Sequence, residues 1–173
     1  MRPIVERLSA LDQLWLARAS TRDAPGWMVR WLRLATLAGG ATVTTSVPLL
    51  LLPWTASRSF GLTLLLANAA SHACVQVLKR TVVRQRPHRS SAGLLALGVI
   101  PDAFSFPSGH SAAAMALAIP CVVRGGALGI PALLLALMVG VSRVYLRVHY
   151  PTDVVAGQIL GVAGAALAVC IVY

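Results

Sequence analysis

A chain of 173 residues is long enough for one domain and short for two. With 57% hydrophobic and 12% charged residues and a mean hydropathy of +0.76, it is too apolar for an ordinary water-soluble domain. The net charge of +10 is not laid out for nucleic acid, because the basic residues are not interleaved with aromatics and lipid-like blocks separate them. Membrane orientation and an anionic substrate explain that charge better.

Residues 1–20 are too charged for a signal peptide, since Glu6, Arg7, Asp12 and Arg18 interrupt them. Ile4, Leu8, Leu11 and Trp15 recur at helical spacing, with Leu14 beside them. This pattern predicts an amphipathic helix at the membrane interface, in preference to a short soluble helix packed on the remainder. Asp23, Pro25 and Gly26 make a turn. Trp31 to Pro53 is the first expected span, bracketed by Trp27, Trp31 and Trp54 as aromatic belts bracket membrane helices. Phe60 to Leu78 is the second. Its polar residues Asn68, Ser71, His72 and Gln76 are expected to face other helices, with His72 a hydrogen-bonded interior histidine.

Lys79 to Phe106 is a basic connection containing an apolar piece, Leu94 to Ile100, too short to span. That piece reads equally as a lid or as a loop seated in the interface. Pro107 to Val123 and Ala127 to Ser142 are the third and fourth spans, joined through Arg124-Gly125-Gly126. Val154 to Val172 is the fifth, with Gly157, Gly161 and Gly164 marking a closely packed face. Cys74, Cys121 and Cys170 each lie in an apolar block and read as small buried packing residues. The expected fold is therefore all-α: one integral-membrane domain over residues 1–173, with about five transmembrane helices and an N-terminal interfacial helix.

Threading five spans through a bilayer brings three polar patches to one face: Lys79 to Pro87, Ser108 to His110, and Ser142 to Asp153. Pro107-Ser108-Gly109-His110 opens a helix, where proline is favoured at the first position and unpaired N–H groups attract an anion. Lys79 and Arg86 are seven apart and share a face if the helix continues, and Arg143 adds a third cation. His149 and Asp153 are four apart across a helix start opened by Pro151. A carboxylate there can hold one ring nitrogen as N–H and leave the other as a nucleophile. His110 is a second histidine, able to act as acid and then base. No metal-ligand spacing is present and no cofactor is expected.

Three motifs then stand together: Lys79, six residues and Arg86-Pro87; Pro107-Ser108-Gly109-His110; and Ser142-Arg143, five residues, His149, three residues and Asp153. They resemble the signature of the type 2 phosphatidic acid phosphatase superfamily, over residues 79–153 and without departure at the signature positions. Members usually have six transmembrane helices, so the resemblance makes this N-terminal region look reduced. It implies a helical bundle and metal-independent hydrolysis of a phosphate ester or pyrophosphate. His149 is then the nucleophile, Asp153 its orienting partner, and His110 the acid and base. Lys79, Arg86, Ser108, Gly109 and Arg143 bind the phosphoryl oxygens. Expected partners are membrane lipids and a lipid phosphate: undecaprenyl pyrophosphate, phosphatidic acid, phosphatidylglycerol phosphate, a prenyl-linked sugar phosphate or lipid A. Vanadium haloperoxidases share these motifs, but known members are larger and soluble or secreted. A transporter or scaffold would leave the two histidines and Asp153 unexplained. Charge bias places the motifs on the cytoplasmic side of the plasma membrane, with 13 of the 15 Lys and Arg residues on that face.

Overall fold

The protein is described here by a computed structural model covering residues 2–20, 25–87, 96–100 and 102–173. Seven α-helices occur among these residues: α1 (Arg2–Ser20), α2 (Gly26–Leu37), α3 (Ala41–Leu51), α4 (Thr55–Thr81), α5 (Gly109–Gly125), α6 (Ile130–Tyr145) and α7 (Pro151–Val172). Residues 21–24 of the turn expected over 21–26, and the basic residues His88 and Arg89, lie outside them. The expected helical class holds, and the bundle is that of a multi-pass membrane protein.

The expected first span is broken, with α2 and α3 meeting at a bend of 46°. The reason is local: Gly39 and Gly40 donate to the carbonyls of Thr36 and Leu37, so the helix tightens and stops. A Cβ on Gly39 would lie 2.6 Å from the His110 carbonyl oxygen, so only glycine lets this break seat against α5. Helix α4 and helix α7 are each long and apolar enough to cross a membrane, as is the run Gly109–Tyr145. That run is divided by a 3₁₀ turn, Gly126–Gly129, in which Gly126 has φ 55°. Ala114, Met115 and Ala118 of α5 pack on Ala136 and Val139 of α6, so the chain doubles back and the run is the third and fourth expected spans.

The glycines of α7 act as their spacing predicts. A Cβ on Gly157 or Gly161 would lie 2.4 Å from the carbonyl oxygen of Ser108 or Ala112, and one on Gly164 would lie 2.8 Å from that of Ala67. Helix α7 therefore rests backbone-to-backbone on α5 and α4, which fixes its N-terminus beside that of α5. Trp27, Trp31 and Trp54 are exposed on the outside of the bundle, as the belt reading requires.

Two expectations are corrected. Cys74 and Cys170 are exposed and Cys121 is half-buried, because apolar blocks in a membrane bundle turn much of their surface to lipid. His72 is exposed as well, bonded to Gln76 within α4 at 3.2 Å and not to another helix. In α1, Asp12 and Leu16 are buried while Leu11, Leu14 and Trp15 face outward. Leu11, Leu14 and Trp15 thus point away from the bundle, as an interfacial helix requires, and an acid points into it. Replacing Gly161 with Ala should destabilise the protein by about 1–3 kcal/mol through overpacking. Gly26→Ala, which meets nothing within 4 Å, is the control, and thermal melts in detergent micelles measure both.

Candidate active site

The basic connection closes on itself. Ser105 N–H donates to the Arg84 carbonyl at 2.9 Å, and Gln85 pairs with Phe104 in an isolated antiparallel bridge. This lays residues 84–86 against 102–105. Helix α4 ends at Thr81, so Lys79 and Arg86 do not share a helical face as expected. They meet through Asp102, whose carboxylate pairs with Lys79 Nζ and accepts Arg86 Nη2 at 2.8 Å. Burial would raise the Asp102 pKa, but hydrogen bonds and charge from Lys79 and Arg86 win and hold it below the usual carboxylate range.

Arg86 is fully buried and each of its nitrogens is placed. Nε donates to the Asp102 carbonyl at 2.9 Å, Nη1 donates to the Val148 carbonyl at 2.8 Å, and Nη1 also lies 3.2 Å from His149 Nε2. A guanidinium only donates, so Nε2 must be the acceptor and the imidazole proton must sit on Nδ1. That Nδ1 faces Asp153 Oδ2 at 3.5 Å, longer than an ordinary hydrogen bond. Asp153 is drawn elsewhere too: Oδ2 accepts the Tyr150 N–H and Oδ1 accepts Arg84 Nη1, each at 2.8 Å. Catalytic hydrogen bonds commonly tighten once the reacting group binds. Burial pushes the His149 pKa down to about 4; Asp153 opposes that shift, and the charges of Arg86 and Arg143 add to it.

Pro107 stands just outside α5, with Ser108 as the N-cap and Gly109 and His110 opening the first turn. The Ser108 hydroxyl receives the Ser111 hydroxyl at 2.9 Å, and the Ser108 N–H donates to the Asp153 carbonyl at 2.9 Å. Ser108 therefore caps α5 and ties it to α7, and its hydroxyl serves both contacts with Ser111 as acceptor, which leaves its O–H to donate. At the end of α6, the Arg143 carbonyl accepts N–H from both Val148 and His149 at 3.2 Å. The return turn passes through Arg147 at φ 61°, a left-handed conformation uncommon for a residue with a side chain. The Arg143 guanidinium is buried and bonds Thr36 at 3.1 Å and the Val99 carbonyl at 3.4 Å, leaving Nε unpaired. Residues 97–100 thus cover Arg143, and they are pinned by the Leu97 N–H on the Leu146 carbonyl and by Arg33 on the Leu97 carbonyl, each at 2.9 Å. Residues 94 and 95 of that apolar piece lie outside the described residues.

A cavity of about 750 Å³ collects the site. Lys79, Asp102, Gly109, His110 and His149 line one end, and it continues between α3 and α4 past Gln76, His72 and Asn68. Arg86 and Asp153 stand at the two ring nitrogens of His149, and Ser108 and Arg143 are buried. Sequence reasoning missed Asp102, Arg84 and Asp12. The available signal was scarcity: the chain has only five acidic residues, and Asp12, Asp102 and Asp153 are three of them.

The model of the PAP2 superfamily, the type 2 phosphatidic acid phosphatases, matches residues 60–173, so the chain belongs to that family. It is 37% identical over 99 residues to the decaprenylphosphoryl-5-phosphoribose phosphatase of Mycobacterium tuberculosis, covering 56% of this chain and 52% of that protein. It is 31% identical over 124 residues to the undecaprenyl-diphosphatase of Sulfolobus acidocaldarius, covering 71% of this chain and 60% of that one. The chain therefore spans little more than half the length of these relatives. The crystal structure of the first transmembrane PAP2 type phosphatidylglycerolphosphate phosphatase from Bacillus subtilis superposes with a TM-score of 0.79 at 26% identity, covering 95% of this chain and 86% of that one.

The buried imidazole gives a signed pH prediction. An unfolded histidine takes its proton near 6.5, while His149 in the folded protein takes it only near 4. Stability should therefore fall as pH drops through that window, and His149→Gln should flatten the dependence. Nitrogen-15 histidine spectra in micelles should show His149 neutral, with its proton on Nδ1, at pH 7.

Proposed function

We propose that the protein hydrolyses a phosphate ester or pyrophosphate of a membrane lipid, without a metal, through a phosphohistidine on His149. The observation that carries this reading is the orientation of His149. Arg86 keeps Nε2 unprotonated through a contact that an incoming phosphoryl group would take over, Asp153 stands at Nδ1, and the ring lines a cavity that also holds His110 and Lys79. Nε2 would attack phosphorus, and His110 would give its proton to the leaving oxygen. His110 would then take a proton from water as that water attacks the phosphohistidine and frees phosphate. Lys79, Arg86 and the first-turn N–H of Gly109 would hold the phosphoryl oxygens. The buried, unpaired Nε of Arg143 is a further donor that an incoming oxygen would satisfy. Ser108 caps α5 and would donate its hydroxyl proton to a phosphoryl oxygen. The phosphate would have to displace or share the contacts Asp102 makes with Lys79 and Arg86.

The cavity favours one group of lipids. Gln76, His72 and Asn68 descend α4 at four-residue intervals, so Asn68 lies roughly 16 Å below Lys79 at 1.5 Å per residue. Thr44 and Thr45 of α3 line the same space. Polar side chains at that depth suit a polar segment between the reacting phosphate and the hydrocarbon. A prenyl-linked sugar phosphate has such a segment in its sugar and second phosphate, whereas undecaprenyl pyrophosphate has only one phosphate there and phosphatidic acid only its glycerol ester. One of the two relatives above is named for a substrate of that kind.

The test is phosphate release by purified protein, with EDTA present, from a panel of these lipids. A prenyl-linked phosphoribose should exceed phosphatidic acid, and His149→Ala should lower turnover by at least about 10²–10⁴. Release that needs added magnesium, or that survives His149→Ala, would refute the mechanism. We also place the site on the cytoplasmic side, because charge bias favours it and Asp12 of the N-terminal helix bonds at the same end of the bundle. Single cysteines at Ser57 and Ser91, in a background free of the native three, check this with an impermeant thiol reagent. In intact cells Ser57→Cys should label and Ser91→Cys should not.

A further inference from the structure

The N-terminal helix reaches the catalytic end through one buried acid. Asp12 is 1% exposed. Its Oδ1 accepts the Thr152 N–H at 3.1 Å, and its Oδ2 accepts both the Thr152 hydroxyl and Arg84 Nη2, the latter at 2.6 Å. Arg84 turns its other terminal nitrogen, Nη1, to Asp153 Oδ1 and to Thr152 Oγ1, both at 2.8 Å. Its guanidinium carbon lies 4.1 Å from the centre of the Tyr150 ring. Asp12 lies outside the stretch the family model matches, which begins at residue 60.

Two physical effects follow from this arrangement. Thr152 is the second residue of α7, where an N–H has no partner within its own helix. Asp12 supplies that partner from another helix, and its negative charge suits a helix N-terminus. The second effect is charge balance. Arg84 sits between two carboxylates, so the cluster of Asp12, Arg84 and Asp153 carries one net negative charge. If Asp12 were neutral, Arg84 would spend its whole charge on Asp153. The carboxylate behind His149 would then be compensated before His149 developed any positive charge.

We propose that Asp12 is a positioning residue for the reaction: it balances Arg84 and fixes the first turn of α7, so that Asp153 stays an effective anion against His149. Asp12 touches no reacting atom and acts through Arg84 and Thr152. A mere latch holding α1 to the bundle would show itself in stability and leave turnover alone.

The experiment compares wild type with Asp12→Asn, which keeps shape and removes charge, using undecaprenyl pyrophosphate in detergent micelles. The expected result is kcat lower by about tenfold or more with KM within about threefold. Because the effect runs through Arg84, the double variant Asp12→Asn/Arg84→Gln should lose no more than Asp12→Asn alone. An unchanged kcat, a loss confined to KM, or losses that multiply in the double variant would overturn the proposal. Should Asp12→Asn fail to fold, Arg84→Lys carries the same test, since lysine keeps the charge but cannot bridge two carboxylates in one plane. Lower kcat at constant KM supports the proposal, and wild-type kcat overturns it. A second readout needs no substrate. The Nδ1 proton of His149 should move upfield in Asp12→Asn as its contact with Asp153 weakens, and an unmoved signal would sink the idea even if no lipid in the panel were hydrolysed.

Discussion

Arg86 is the side chain on which the candidate active site depends. A guanidinium with no exposure must have its donors satisfied, because a buried unpaired charge costs several kcal/mol. Its partners come from two separate segments: the Asp102 carbonyl and carboxylate, and the Val148 carbonyl with His149. Satisfying Arg86 therefore draws the basic connection onto the turn between α6 and α7. The same bonds decide which nitrogen of His149 carries the proton. Folding and chemical poise rest here on one set of hydrogen bonds.

That end can be assembled only because the helices beneath it approach so closely. Gly157 and Gly161 let α7 settle on the first turns of α5, and the Ser108 N–H reaches the Asp153 carbonyl at 2.9 Å. Gly39 does the same for the bend between α2 and α3, which presses on the His110 backbone. In a bilayer the gain comes from packing and backbone contact, since lipid offers no hydrophobic penalty to avoid. Small residues far from the chemistry thus set where the histidines stand.

The legible parts of the site were those fixed by short-range geometry. His149 and Asp153 face each other because Pro151 starts a helix between them, whereas the helix expected from Pro107 starts two residues later, with Ser108 as its cap. The pairing of Lys79 with Arg86 was read through a helix that stops at Thr81. What joins them is Asp102, a contact across the closed connection that no periodicity records. Asp12 was hidden for a similar reason. On its own helix it looks like an interruption of an apolar stripe, and its partners lie more than seventy residues away. The cysteines were misread because apolar sequence means burial in water-soluble proteins, whereas here it also means contact with lipid. His72 and Gln76 were expected against other helices, and they open on the cavity instead.

The charges at the site suggest which contact gives way when phosphate arrives. Lys79, Arg84, Arg86 and Arg143 face three carboxylates, Asp12, Asp102 and Asp153, so the cluster carries one net positive charge. The carboxylates are not equivalent. The side chains of Asp12 and Asp153 are 2% and 0% exposed, while that of Asp102 is 37% exposed. Moving either buried acid would break a buried ion pair with Arg84 and also release a backbone N–H, that of Thr152 or of Tyr150. Asp102 can turn to water at far smaller cost, and it bonds the two cations that the proposed chemistry assigns to phosphate. On that reading Asp102 keeps Lys79 and Arg86 paired and aligned until a phosphoryl group replaces it. The site then needs no large rearrangement to exchange one anion for another.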